Sequence, residues 1–203
     1  TLVDVAGGHG LVGVLAAIFK YKDFGRVVVR DRRRPKAFDE VVAAAVQVAP
    51  WVEGRIVYEQ GDVGGKHGAP LPQGCAVVSV HGCGKLTDVI IAAAADADAR
   101  SVALMPCCYA QTAGHAPEGL RNALGTALAA DVHRTYTLDG LGYSVTWRAI
   151  PKVITPMNRI VLAHRPARRP AAWPAEGEPG RAPDGDRSSE GNRKEESSAP
   201  VSA

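Results

Sequence analysis

The stretch TLVDVAGGHGLVGVLAAIFK, residues 1–20, decides how the rest of the chain is read. Residues 1–6 are a short apolar run ending in glycines, the pattern of a buried strand entering a tight turn. From Leu11 to Lys20 the apolar residues recur at helical spacing. The same alternation continues outward. RVVVR (26–30) predicts a second strand, and Ala37–Val48 a helix ended by Pro50. RIVYEQ (55–60) predicts a third strand, and Cys75–Val80 a fourth, followed by a helix from about Leu86 to Ala95. Ser101–Met105 predicts a fifth strand and Glu118–Leu138 a long helix. Then the alternation stops. Tyr143–Ile150 and Asn158–His164 read as two strands joined by the Pro-containing loop PKVITP, with no helix between them. Continuous apolar strands separated by helices predict a parallel sheet covered on both faces, and a helix-free final pair predicts an antiparallel strand. The expected fold is therefore α/β: a doubly wound, Rossmann-like, seven-stranded sheet with an antiparallel terminal strand, formed by residues 1–164.

Bulk composition narrows the classes. The chain has 203 residues, enough for one domain with a sizeable core, and 46% are hydrophobic. No apolar run reaches the roughly 20 residues needed to span a membrane, so no membrane partner is expected. A net charge of +3 is too small to imply a nucleic-acid partner by itself. Cys75, Cys83, Cys107 and Cys108 do not form a secreted disulfide framework. Adjacent Cys107 and Cys108 suit a reducing compartment, which predicts a cytoplasmic location. From Arg165 onward Pro, Gly, Ser, Glu and Arg dominate, and seven basic residues balance seven acidic ones. Such a segment buries too little apolar surface to offset its ordering entropy, which predicts a disordered tail over 165–203. The chain enters a strand directly at Thr1, which predicts a truncated N-terminus. No obligate protein partner is inferred.

In a doubly wound sheet, ligands bind beyond the carboxyl ends of the strands. The first exit is Asp4-Val5-Ala6-Gly7-Gly8-His9-Gly10. Glycines here let the backbone turn tightly and approach a ligand. The segment resembles motif I of S-adenosylmethionine-dependent methyltransferases, an acidic residue followed by G-x-G-x-G, with Ala6 where the first glycine is usual. An alanine fits that position if φ stays negative. On this resemblance Asp4, Ala6, Gly7, Gly8 and Gly10 bind the cofactor. The second exit carries Asp31, about 20 residues past the turn, placed to accept hydrogen bonds from ribose hydroxyls. At the third exit, EQGDV (59–63), the resemblance implies that Asp62 contacts the adenine amino group. The helix-free terminal pair is likewise the order of class I methyltransferases. Arg30, Arg32, Arg33, Arg34 and Lys36 surround Asp31. They admit three readings: a 2′-phosphate site for NADP, a solvated basic loop, or a phosphate-binding rim for RNA. Retention of Asp31 counts against NADP.

The fourth and fifth exits, Val80-His81-Gly82-Cys83-Gly84 and Pro106-Cys107-Cys108-Tyr109, are expected side by side at the mouth of the cleft. The pair H-x-C-G and P-C-C-[YH] looks like the methyltransferase-domain family that includes relatives of methyltransferase-like protein 25. It is also similar to tRNA acceptor-stem 2′-O-methyltransferases. With VDVAGGHG the resemblance covers most of residues 1–164. It implies S-adenosylmethionine as cofactor and does not fix the methyl acceptor, for which RNA is one candidate. Imidazole is suited to general-base work, so His81 is the candidate base, with helix capping as the alternative. His81 and Cys83 are expected to border the cofactor. Cys107, Cys108 and Tyr109 are expected to line the substrate pocket, Tyr109 stacking on the substrate or shielding the methyl group and so sharing the catalytic role. Cys83, Cys107, Cys108 and His81 supply a ligand set for zinc, but no C-x-x-C knuckle is present, and no metal is assigned. Asn158 and Arg159, leading into the last strand, are candidates for substrate contact. Asp131 and Arg134 read as a structural i, i+3 pair, and His67 as a loop residue.

Two other readings stay open. Ala6 in the glycine turn admits a non-catalytic interaction protein with a relict Rossmann core. The basic loop admits an NADP-dependent oxidoreductase, although no Tyr-x-x-x-Lys pattern accompanies it.

Overall fold

The computed structural model describes residues 1–64, 68–109 and 116–166. Seven strands and four α-helices follow in order: β1 (Leu2–Val5), α1 (Leu11–Phe19), β2 (Val27–Asp31), α2 (Ala37–Val48), β3 (Ile56–Gln60), β4 (Ala76–Val80), α3 (Leu86–Asp96), β5 (Ser101–Met105), α4 (Glu118–Gly140), β6 (Ser144–Ala149) and β7 (Arg159–His164). They form one sheet in the order β3-β2-β1-β4-β5-β7-β6. β1 runs parallel to β2 on one side and β4 on the other, so the strand order reverses between β1 and β4. β7 is antiparallel to both β5 and β6. The doubly wound sheet and its antiparallel terminal strand are as the sequence predicts.

Alternation along β1 and β2 divides the core between two faces. Val3, Val5 and Val28 pack with Val77, Ile90 and Leu104 in one cluster. Leu2, Val27 and Val29 pack with Val14, Phe38 and Ala45, from α1 and α2, in the other. Both faces of the central strands are thus buried, which accounts for their unbroken valine runs.

Three features depart from the expected elements. Gly61–Cys75, between β3 and β4, forms no helix among the described residues, so the strand–helix alternation skips one step. Helix α4 is interrupted at Gly125, where φ is 75° and ψ 158°. Only glycine adopts such a backbone readily, and helical periodicity on both sides hides the break in sequence. Arg165, expected to begin the tail, is still tied to the sheet. Its N–H donates to the Arg100 carbonyl at 2.9 Å, and its guanidinium stacks over Tyr143 at 4.6 Å. The remainder of the expected tail, from 167, lies outside the described residues, as does His67. No helix among the described residues is long and apolar enough to cross a membrane.

Candidate functional site

Two cavities open at the carboxyl ends of the central strands. The larger, about 510 Å³, is lined among others by Ala6, Asp31, Asp62, His81, Cys83 and Lys85. That volume lies within the usual range of a small-ligand pocket. The second, about 360 Å³, is lined by Asp4, Ala6, Gly7, Gly8, His9 and His81, with Leu11, Val12 and Val80. Ala6 and His81 belong to both, so the two cavities share a wall at the point where the strand order reverses.

These two residues also hold unusual backbones. Ala6 has φ 56° and His81 φ 71°, and Asp98 is the one other non-glycine with positive φ among the described residues. Ala6 therefore does not keep the negative φ expected of an alanine there. Its N–H donates to the Arg30 carbonyl at 2.8 Å, which ties the left-handed turn to β2. His81 is held likewise by its N–H on the Met105 carbonyl at 3.1 Å, across to β5. Left-handed non-glycine residues carry roughly 1–2 kcal/mol of strain each.

The glycine turn is shaped around a carboxylate. Asp4 is 1% exposed, and its Oδ2 accepts from the Gly13 N–H at 2.9 Å. Burial pushes Asp4 up to about 6, with the Gly13 bond acting in the opposite direction. Gly7 passes so close that a Cβ there would lie 2.8 Å from Val29 Cγ1 and 2.9 Å from Asp4 Cγ. At Gly8, φ 54°, a Cβ would meet nothing within 4 Å, so the turn leaves a cradle on that side. Gly8 donates its N–H to Asp31 Oδ2 at 3.0 Å, and its carbonyl accepts from the Tyr58 hydroxyl at 3.2 Å. Tyr58, which the sequence reading did not single out, thus staples the turn to the loop after β2, sharing its single hydroxyl proton with the Arg33 carbonyl at 2.7 Å. Gly10 closes the turn by donating to the Gly7 carbonyl at 2.8 Å.

The arginines around Asp31 are largely committed. Arg30 is buried, pairs with Glu59, and donates to the Ala69 and Pro70 carbonyls at 3.0 and 3.1 Å. Arg32 pairs with Asp62, and Arg34 with Asp39. Asp62 lines the larger cavity as expected, but one of its oxygens is engaged by Arg32.

Beyond β4 and β5 the expected juxtaposition is present. The Gly84 N–H donates to the Cys108 carbonyl at 3.0 Å, joining the two exits. The sulfurs of Cys83, Cys107 and Cys108 all lie within 4.8 Å of one another, and Cys83 and Cys107 Sγ are 2.7 Å apart. Spacing along the sequence argued against a shared sulfur site; neighbouring strand ends supply one. Burial and the Cys107 thiol push the Cys83 thiol up, and the bond to Cys83 does the same to Cys108.

Tyr109 turns inward. It is 9% exposed, and its hydroxyl donates to Asp131 Oδ2 at 2.7 Å. Burial, then that acceptor, raise the phenol far above its usual range, so it keeps its proton. Asp131 is 0% exposed and also accepts from Arg159 Nε at 2.8 Å. Arg134 grips Asp88 with two bonds, at 2.8 and 3.1 Å, and donates to the Gly84 carbonyl at 3.1 Å. Arg159 therefore joins a buried polar network tying α4 to the exits of β4 and β5. Asn158 is also withdrawn: it is 8% exposed and its side-chain amide donates to the Ile150 carbonyl at 2.6 Å, closing the β6–β7 loop. None of Cys107, Cys108, Tyr109, Asn158 and Arg159 lines the two cavities.

A family model described as a methyltransferase domain matches residues 1–115. The methyltransferase domain of the bacterial CtHen1-C shares the fold, with a TM-score of 0.53 and 13% identity over 82% of this chain and 90% of that one. Magnesium protoporphyrin IX methyltransferase from Synechocystis PCC 6803, solved with S-adenosylhomocysteine bound, aligns with a TM-score of 0.49 and 16% identity over 81% of this chain and 74% of that one. The 23S rRNA methyltransferase ErmE aligns with a TM-score of 0.47 and 13% identity over 82% of this chain and 61% of its own. No protein of curated function matches the chain in sequence.

Proposed function

Because the chain belongs to the methyltransferase-domain family matched over residues 1–115, we propose that it transfers a methyl group from S-adenosylmethionine to a nucleophilic oxygen or nitrogen, with RNA as the acceptor class. The observation that carries this reading is the pair of cavities that meet at Ala6 and His81. The residues fit the cofactor. The free side of Gly8 offers a cradle with no Cβ in the way. Asp31, half-buried with Oδ2 on the Gly8 N–H, would accept from ribose hydroxyls, and Asp62 would border the base. Asp4, buried behind the turn, would set the positions of Gly7, Gly8 and Gly10. Three arginines spent on Glu59, Asp62 and Asp39 disfavour a 2′-phosphate site, and with it the NADP reading.

When bound, the cofactor supplies an electrophilic methyl group on a sulfonium. The chain's own work is then to hold the acceptor in line and to take its proton. His81, exposed at the wall shared by both cavities, would accept that proton on an imidazole nitrogen. Its left-handed backbone, fixed by the bond to Met105, would aim the ring without help from a long side chain. Tyr109 would act as a positioning residue through Asp131, and Cys107 and Cys108 would back Cys83, which lines the larger cavity. The RNA acceptor rests on the likeness of the H-x-C-G and P-C-C-[YH] motifs to tRNA methyltransferases, together with exposed Lys85 on the cavity wall and exposed Arg33 next to cavity-lining Arg32. Residues 1–166 would form the catalytic domain.

The test is transfer of labelled methyl from S-adenosylmethionine to total RNA, protein and metabolite fractions. His81→Asn suits it, because asparagine tolerates positive φ and cannot act as a base. The expected result is RNA labelling that falls about 10²–10⁴-fold in the variant, with S-adenosylhomocysteine binding within about threefold of wild type. Labelling unaffected by His81→Asn overturns the base assignment, and labelling confined to protein or metabolites overturns RNA.

A further inference from the structure

Sulfur chemistry at the β4–β5 junction is not used by the transfer described above. Three thiols from two strand ends converge there: Cys83 and Cys108 exposed, Cys107 half-buried. The convergence is built into the backbone. The bonds from His81 N–H to Met105 and from Gly84 N–H to Cys108 zip the two exits together, and Arg134 clamps the Gly84 carbonyl from α4. Cys83 also opens α3, its carbonyl accepting from the Leu86 N–H at 3.1 Å.

The geometry points to a three-thiolate site for a thiophilic d¹⁰ cation, zinc(II), held by Cys83, Cys107 and Cys108. In a tetrahedral zinc site with Zn–S near 2.3 Å, the sulfurs stand about 3.8 Å apart. The three sulfurs here lie within 4.8 Å of one another, so each needs to shift by no more than about 1 Å. Cys83 and Cys107, at 2.7 Å, are closer than two unbonded sulfurs rest, and an ion between them would spread the pair. Soft thiolates in this number select zinc or copper(I) over magnesium or calcium. Three protein ligands leave one coordination position for water or another ligand. Because Cys83 lines the larger cavity, the bound ion would stiffen one of its walls.

The test uses the full chain, purified with reductant and stripped with a chelator. Zinc is then titrated against a competing indicator, and cobalt is read by its thiolate charge-transfer absorption. One ion per chain is expected, with a raised thermal midpoint. Cys83→Ser, Cys107→Ser and Cys108→Ser should each weaken uptake at least about tenfold, which is about 1.4 kcal/mol. Cys75→Ser, buried in the core away from the cluster, should leave affinity unchanged. Cys108 is exposed, so its substitution keeps the test decisive if a change at Cys107 unfolds the chain. The proposal is overturned by absence of uptake in the reduced protein, by uptake that survives all three serine changes, or by a Cys83–Cys107 disulfide that forms under the same reducing conditions and excludes metal. None of these readouts involves methyl transfer.

Discussion

Replacing Ala6 by glycine should stabilise this protein, against the usual direction of alanine-to-glycine changes. Ala6 sits at φ 56° and is held there by its N–H on the Arg30 carbonyl. Left-handed backbone costs a non-glycine residue about 1–2 kcal/mol. Glycine escapes that cost but loses about 0.5–1 kcal/mol more to unfolded-state freedom. The difference leaves Ala6→Gly more stable by roughly 0.5–1 kcal/mol. The reverse exchange one residue on behaves oppositely. A Cβ on Gly7 would sit 2.8 Å from Val29 Cγ1 and 2.9 Å from Asp4 Oδ2, both on buried side chains. Overpacking of that kind costs about 1–3 kcal/mol. Urea unfolding followed by circular dichroism reads both. With a slope near 2 kcal/mol/M, Ala6→Gly should raise the midpoint by about 0.25–0.5 M, and Gly7→Ala should lower it by about 0.5–1.5 M. A lowered midpoint for Ala6→Gly, or an unchanged one for Gly7→Ala, would refute the description of the turn.

Other expectations concern buried charge. Arg134→Met strands Asp88 and part of the demand on Asp131, and should cost about 3–5 kcal/mol, seen as a thermal midpoint lower by roughly 6–20 °C. The double change Asp88→Asn with Arg134→Met should recover part of that loss, because the main stranded carboxylate is removed with its partner. Asp4 has a folded value of about 6 against an ordinary 3.8, so between those limits the folded chain holds more protons than the unfolded one. Its contribution to stability therefore grows as pH falls from about 6 toward 4, by roughly 3 kcal/mol at most, and is flat above pH 7. Asp4→Asn should remove that slope, so the wild-type and variant stabilities measured at pH 4.5 and 7 should diverge by unequal amounts; equal differences would contradict it.

The order of strands was legible because valine runs and turn glycines are local signals, and Asp31 was legible because its distance from the turn is set by one helix and one strand. Features made by contacts distant in sequence were not. Asp131 reads as half of an i, i+3 pair, and Arg134 does donate to its Oδ1 at 3.5 Å, but its Oδ2 is filled by Tyr109 and Arg159, 22 and 28 residues away. Tyr109 and Arg159 read as substrate contacts because their strand ends reach the carboxyl edge; only packing decides which way the side chains point. The meeting of the cysteine-bearing strand ends was legible; how near the three sulfurs come was not, since ligand-spacing rules describe one knuckle and this cluster spans two parallel strands. The positive φ of Ala6, tied to β2 through the Arg30 carbonyl, is announced by no local pattern.

Calorimetry with S-adenosylhomocysteine on the intact chain tests the central claim most directly. The account predicts one site per chain, binding weakened at least about tenfold by Asp31→Ala, and no comparable binding of NADP. Absence of binding, binding indifferent to Asp31, or a preference for NADP would contradict it.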